Sequence, residues 1–372
     1  MLLEQWDQGD QSEDEDEFEE KDILPSGLSS IAAAAKAAAV SSAGTPASGL
    51  PPKDPFFEVQ KFVDYSVPLA SDGSPSKVIA ASVSSNVMFV ATDNGVVTRW
   101  DLESDSKLEM PVPKNGKEVD KVVTLFADPT GNHALLTTES TQAYYLVAAK
   151  KKLASIPKPR HSIITCVAWN RTEVNEDSTG PILCGLANGR VYLLLLEDGR
   201  QKHYKRVYEV SPDIPIVGVQ IQQFHSCETD SENWWAIVCT PQYQYQFIGG
   251  PTLEEIFEVD EESILIRELP GDRSGALASL DQGKNLASIA QMTNAIVYIG
   301  HLGLSTQSAG SPVTNQETFM SFSDLGLSDL KVPLAISLTE FHLILLYPNR
   351  LLAVNQLSKE IVFDRSFSSS SV

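Results

Sequence analysis

PILCGLANGRVYLLLL, residues 181–196, decides the fold. Two apolar runs rich in β-formers flank Asn188-Gly189, the strongest short-range signal for a β-hairpin. A type I′ turn is expected there, with positive φ at both central residues. VMFVATDNGVVTRWDL (87–102) repeats the device at Asn94-Gly95. Four looser copies keep the plan: HALLTTESTQAYYLVA (133–148), WWAIVCTPQYQYQFIG (234–249), LASIAQMTNAIVYIG (286–300) and HLILLYPNRLLAVNQL (342–357). Their turns centre near residues 94, 140, 188, 241, 293 and 349, in steps of 46 to 56 residues. A period of this size with several strands per unit marks a β-propeller.

Each hairpin supplies the two middle strands of a four-stranded blade. Apolar runs precede five of them: KVIAASVS (77–84), KVVTLFAD (121–128), SIITCVAW (162–169), PIVGVQIQ (215–222) and KVPLAISL (331–338). A fourth strand is expected at KLEMPVP (107–113), KKLASIP (151–157), KRVYEV (205–210), EEIFEV (254–259) and KEIVFD (359–364). The middle strands are almost wholly apolar, as strands packed on both faces must be. A β-sandwich would space its strands at 8–12 residues without the longer period. No long amphipathic helix interrupts residues 54–372, which argues against an α/β enzyme fold. The expected fold is all-β: a β-propeller with six recognisable blades, on a seven-bladed plan whose last blade is incomplete. FFEVQKFVDYSV (56–67) is an unassigned strand, and propellers commonly close by joining their two terminal strands in one blade.

The expected domains are an acidic and Ala/Ser/Pro-rich disordered segment (1–52), the propeller (53–367) and a short disordered tail (368–372). Residues 1–22 carry 11 Asp/Glu and one Lys. Such a block is either a solvated tail or a docking tail for a basic partner. The whole chain of 372 residues has a formal charge of −21, which excludes a general grip on nucleic acid or anionic lipid. No polybasic patch, run of about 20 apolar residues or targeting leader stands out, so a cytoplasmic location is expected. Cys166, Cys184, Cys227 and Cys239 lie at least 12 residues apart, with no zinc spacing, and are expected to be small buried residues.

The sequence contains no phosphate-binding glycine loop, zinc-protease helix, nucleophile elbow or kinase set. No catalytic, cofactor-binding or metal residue is assigned, no cofactor is expected, and the chain is read as a non-enzyme. His133, His161, His203, His225, His301 and His342 are scattered; His133 and His342 open middle strands at matching blade positions. Glu254/Glu255 and Glu261/Glu262 are expected to solvate turns. Trp234-Trp235 and QYQYQF (242–247) are either a binding surface or, as strand alternation favours, blade core. Trp100-Asp101 ends a third strand, where WD-repeat propellers carry their namesake pair, but it occurs once. The sequon Asn170-Arg171-Thr172 carries little meaning in a cytosolic chain. A propeller enzyme would instead show a deep axial pocket with convergent carboxylates or histidines.

LTEFHLILLYPNRLLAVNQLSKEIVFD (338–364) is similar to a signature of the deep orange (Pep3) family, the vacuolar protein sorting-associated protein 18 group. FADPTGNHALLTTES (126–140), IITCVAWN (163–170), ILCGLANGRVY (182–192), TPQYQYQFIGG (240–250) and RELPG (267–271) match in order. The resemblance runs over about residues 77–364. It implies the N-terminal propeller of a class C subunit of the HOPS and CORVET tethers, acting at late endosomes and lysosomes or vacuoles before SNARE-mediated fusion. The implied partners are other class C tethering subunits, with SNARE and Rab machinery reached through the complex. The membrane would be reached peripherally, through those partners. The family's α-solenoid and RING domain lie outside the resemblance, so ubiquitin-ligase activity does not transfer. A scaffold propeller of a vesicle coat or nuclear pore is the alternative, and partner identity discriminates it.

Overall fold

The computed structural model describes residues 73, 76–114, 116, 119–212, 214–226, 230–271, 274–282, 285–302, 314–327, 330 and 332–367. They form six four-stranded antiparallel sheets, each in simple chain order. Blade 1 is β1 (Val78–Ser84), β2 (Val87–Thr92), β3 (Val96–Asp101) and β4 (Ser106–Pro111). Blade 2 is β5 (Val122–Ala127), β6 (His133–Thr138), β7 (Ala143–Val147) and β8 (Lys152–Ile156). Blade 3 is β9 (Ile164–Ala168), β10 (Ser178–Leu186), β11 (Arg190–Glu197) and β12 (Arg200–Glu209). Blade 4 is β13 (Gly218–Ser226), β14 (Ser231–Cys239), β15 (Tyr243–Ile248) and β16 (Leu265–Glu268). Blade 5 is β17 (Ser274–Gln282), β18 (Asn285–Thr293), β19 (Ile296–Leu302) and β20 (Thr314–Ser321). Blade 6 is β21 (Ala335–Leu338), β22 (His342–Tyr347), β23 (Arg350–Asn355) and β24 (Ile361–Ser366). The first strands neighbour one another in chain order around the axis. Among the described residues the chain is an all-β β-propeller of six blades, each with all four strands, and the incomplete seventh blade expected from the sequence does not appear among them. The expected segments 1–52, 56–67 and 368–372 lie outside the described residues.

Among the described residues, apolar side chains fill five cores, one between each successive pair of blades. Strand alternation sends neighbours in sequence to opposite cores. Leu136 packs with blade 1 residues such as Phe89 and Val97, while Leu135 packs with Ile182 and Leu194 of blade 3. Trp234 joins Leu183 and Leu193, whereas Trp235 joins Ile289 and Tyr298. Ala290 and Val297 then meet Leu343 and Leu352. Every residue of β6 and β7 is buried, as expected of strands enclosed on both faces.

Three details correct the sequence reading. First, the Asn-Gly hairpins are not type I′. Gly95 and Gly189 take φ of +78°, but the preceding asparagines do not have positive φ. Gly95 N donates to Thr92 O at 3.0 Å and Gly189 N to Leu186 O at 3.2 Å. These are three-residue loops, a type I turn followed by a left-handed residue, which suits the Cβ-bearing Asp93 and Ala187. Positive φ at both residues of a two-residue loop occurs instead at Ser85-Asn86 (+46°, +61°) and Asp198-Gly199 (+55°, +74°). Second, EEIFEV is not a strand. Glu255–Phe257 is a 3₁₀ turn, and β16 forms the fourth strand of blade 4. Ile256 and Phe257 are both buried in the core between blades 3 and 4. A strand would have sent these neighbours to opposite faces. Third, β17 and β20 complete blade 5 from SGALASLDQ and TNQETFMS, whose polar composition hides them.

Candidate functional site

The propeller axis opens at one end into a cavity of about 490 Å³. Its wall comes from the first strands of blades 1 to 5 and the turns after them. Ser84, Thr130, Trp169, Arg171, Gln220 and Ser279 are among its lining, which includes no carboxylate or histidine from the described residues. Such a wall offers hydroxyls, one guanidinium and aromatic surface, and no general acid–base pair.

The Asp-Pro-Thr-Gly turn that shapes this mouth explains its own residues. Asp128 is fully buried, and its carboxylate accepts Thr130 N at 2.9 Å, Thr130 Oγ1 at 2.5 Å and His133 N at 2.7 Å. Gly131 has φ +72°, and a Cβ there would lie 2.7 Å from Val87 Cγ2. Ser85 Oγ donates to Pro129 O, tying blade 1 to this turn. His133 is also fully buried, with Nε2 2.5 Å from Asn175 O and Nδ1 2.7 Å from Tyr145 Oη. The carbonyl needs a donor, so Nε2 carries hydrogen and Nδ1 accepts from the phenol. Burial, with Asp128 nearby, pushes the Tyr145 phenol up. His133 is thus a tie between blades 2 and 3.

The other singled-out residues are dispersed. His342 opens β22 beside Thr339, His225 lies between Asp230 and Glu232, and His161 is exposed. Among the described residues no group of three His, Cys, Asp or Glu could hold a metal. Cys166, Cys184 and Cys239 are buried free thiols; Cys227 lies outside the described residues. Trp234 and Trp235 are core. Tyr243, Tyr245 and Phe247 share one face of β15, while Gln244 and Gln246 are buried on the other. Trp100 is buried with Nε1 donating to Asp105 Oδ1 at 2.8 Å. Asp101 folds the following turn, and the Ser104 backbone N–H holds its carboxyl below the usual range. Asn170 is buried, and its Oδ1 accepts Thr172 N at 3.1 Å and Thr172 Oγ1 at 2.7 Å, so the sequon builds a loop. Glu254 and Glu258 both reach Lys205, and Glu261 and Glu262 open a second 3₁₀ turn.

Two rim features were missed by the sequence reading. Phe319, Phe341, Leu357 and Ile361 leave apolar surface exposed on blades 5 and 6, with Leu357 at 84%. At the junction of blades 2 and 3, the expectation of no polybasic patch is overturned. KKKLASIPKPR (150–160) and RQKHYKR (200–206) are about 40 residues apart, but β8 and β12 bring them together. Lys150 Nζ is 3.0 Å from Asp198 Oδ1, and Gln201 exchanges two 3.1 Å hydrogen bonds with the Lys158 backbone. Lys158 Nζ lies 5.5 Å over the Tyr204 ring. Lys150, above all through its hydrogen bond, and then Lys202 and Arg200 hold the Asp198 carboxyl below its usual range. The Asp198-Gly199 dipeptide was the available signal, since it fixes the β11–β12 hairpin.

Comparison with known proteins identifies the architecture. The sequence model of the Pep3/Vps18/deep orange beta-propeller domain matches residues 55–372. Vacuolar sorting protein 18 of Arabidopsis thaliana is 23% identical over 305 residues, covering 78% of this chain and 30% of that protein. The vacuolar protein sorting-associated protein 18 homolog of Danio rerio is 23% identical over 318 residues, 79% of this chain and 31% of that protein. The Drosophila melanogaster homolog is 25% identical over 293 residues, 66% of this chain and 28% of that protein. The chain spans about 30% of the length of these curated relatives.

Proposed function

The chain belongs to the Pep3/Vps18/deep orange β-propeller family, and from that membership we propose that it is the non-catalytic scaffold propeller of a class C vacuolar protein sorting subunit. The match over residues 55–372 carries this reading, because it takes in all six blades. The proposed setting is a HOPS- or CORVET-type tether in endosome-to-lysosome or vacuole traffic. The work is recognition: packed blades hold rim and loop surfaces in fixed geometry for other subunits. The exposed apolar rim of blades 5 and 6 supports a docking role, and the family match supports the non-catalytic reading. Association with the endosomal or vacuolar membrane is peripheral and runs through partners; among the described residues no helix is long and apolar enough to cross one. Affinity purification of the endogenous protein with an N-terminal tag, followed by mass spectrometry, tests the proposal. Recovery of other class C tethering subunits is expected. Recovery of coat or nuclear-pore subunits in their place would overturn it.

A further inference from the structure

The basic junction of blades 2 and 3 stands out against the rest of the molecule. Residues 150–160 and 200–206 hold nine of the 28 lysines and arginines and no carboxylate. Lys150, Lys151 and Lys152 enter from blade 2, and Arg200, Lys202 and Arg206 from blade 3. Among the described residues five carboxylates come within 4.0 Å of seam cations: Glu197, Asp198, Glu209, Glu254 and Glu258. The seam therefore keeps a formal charge of +4. Lys151, Lys152 and Arg200 are exposed, without an ion-pair partner among the described residues. Outside the seam, residues 23–372 carry 33 Asp/Glu against 18 Lys/Arg. Most of the chain thus repels an anionic ligand, and this strip attracts one.

The sequence supplies such a ligand. Residues 4–22 carry a balance of −10, concentrated in EDEDEFEE (13–20). We infer that this acidic segment docks in cis on the basic seam of blades 2 and 3. Reach does not limit it. The 53 residues between Asp22 and Ser76 extend at most about 3.5 Å each, and a domain of about 300 residues has a radius of gyration near 19 Å. A covalent tether also gives the segment an effective concentration in the millimolar range, which an external anion must exceed. An anionic membrane is the weaker occupant, because the chain's −21 net charge opposes approach to it. This inference is independent of the tethering role.

Zero-length carbodiimide cross-linking, which joins a carboxylate to a lysine in contact with it, tests the contact on the full 372-residue chain. An equal mixture of unlabelled and ¹⁵N-labelled chains separates contacts within a chain from contacts between chains. Peptides from residues 4–22 are expected to join Lys150, Lys151, Lys152 or Lys202 without isotope mixing. The yield at Lys150 and Lys202, which keep their amines, should fall about tenfold in the Lys151→Glu, Lys152→Glu, Arg200→Glu variant, the worth of about three exposed charge pairs. It should fall similarly in 1 M salt, where the Debye length is about 3 Å. A second variant leaves the propeller untouched by changing the acids of residues 13–20 to Asn or Gln. It should bind an added peptide of residues 4–22, while the native chain does not. Isotopically mixed cross-links, cross-links spread equally over lysines elsewhere, or none at all would overturn the inference. So would binding of the native chain to phosphatidylserine vesicles that the seam variant loses, since the seam would then hold lipid.

Discussion

Replacing Gly189 with alanine tests the turn geometry that closes blade 3. Gly189 has φ +78°, and a Cβ there would lie 1.9 Å from Ser211 O and 2.9 Å from Ile214 O. Gly326 makes the control: its φ is +66°, but its Cβ would meet open space. Both substitutions carry the left-handed penalty of about 1–2 kcal/mol. Only Gly189→Ala must also push the Ser211 backbone by about 1.5 Å to reach van der Waals contact. That movement pulls on Val210 N→Gly189 O (3.0 Å) and Ile214 N→Ser211 O (3.1 Å), each worth about 1 kcal/mol. The expected loss is about 3–4 kcal/mol for Gly189→Ala and about 1–2 kcal/mol for Gly326→Ala. For about 300 residues the unfolding entropy is near 0.6 kcal/mol/K, so Tm falls by about 5–6 °C against 2–3 °C. Urea unfolding followed by tryptophan fluorescence, with equal m-values required, measures both losses. Losses within about 0.5 kcal/mol of each other would refute the reasoning.

Thr141 occupies the same left-handed position in blade 2, with φ +60° and its N–H donating to Thr138 O at 2.9 Å. Thr141→Gly should therefore stabilise the domain by about 0.5–1 kcal/mol in the same urea assay, and a loss would contradict the strain. Cys166, Cys184 and Cys239 should react with a thiol reagent at pH 8 only on unfolding; their labelling in the native chain would contradict the described core. Burial pushes the Cys166 thiol from 9.0 up to about 12 and the Tyr347 phenol from 10.0 up to about 12. Folding favours the protonated forms, so their contribution is complete below pH 9 and is lost as pH rises to about 12. Unfolding free energy should hold to pH 9 and then fall, and a flat profile to pH 11 would exclude these shifts.

The middle hairpins were legible because their apolar runs are enclosed on both faces, which leaves little room for polar residues. All six turns fall where the sequence places them. The outer strands were harder to read. β20 uses the largely polar TNQETFMS at the end of its sheet, and Ile256-Phe257 imitates a strand although a 3₁₀ turn buries both residues. Turn type escaped because Asn-Gly also serves the three-residue loop, with only glycine left-handed. The axial mouth and the basic seam were illegible for another reason. Each gathers residues from separate blades, and linear charge counting averages Lys150–Lys152 against distant acids.

Each middle strand deals its residues alternately to two cores, so no blade owns its interior. A one-residue deletion inside β14 would swap the destinations of Trp234 and Trp235 and corrupt both walls of blade 4 together. Changes of length are therefore tolerable in the turns and ruinous within the strands. The same sharing makes a single blade a poor building block: lifted out of the ring, it would carry two bare greasy faces and half of two interiors. Duplicating or transplanting material in this architecture means cutting through the turns and moving adjoining blades as a set.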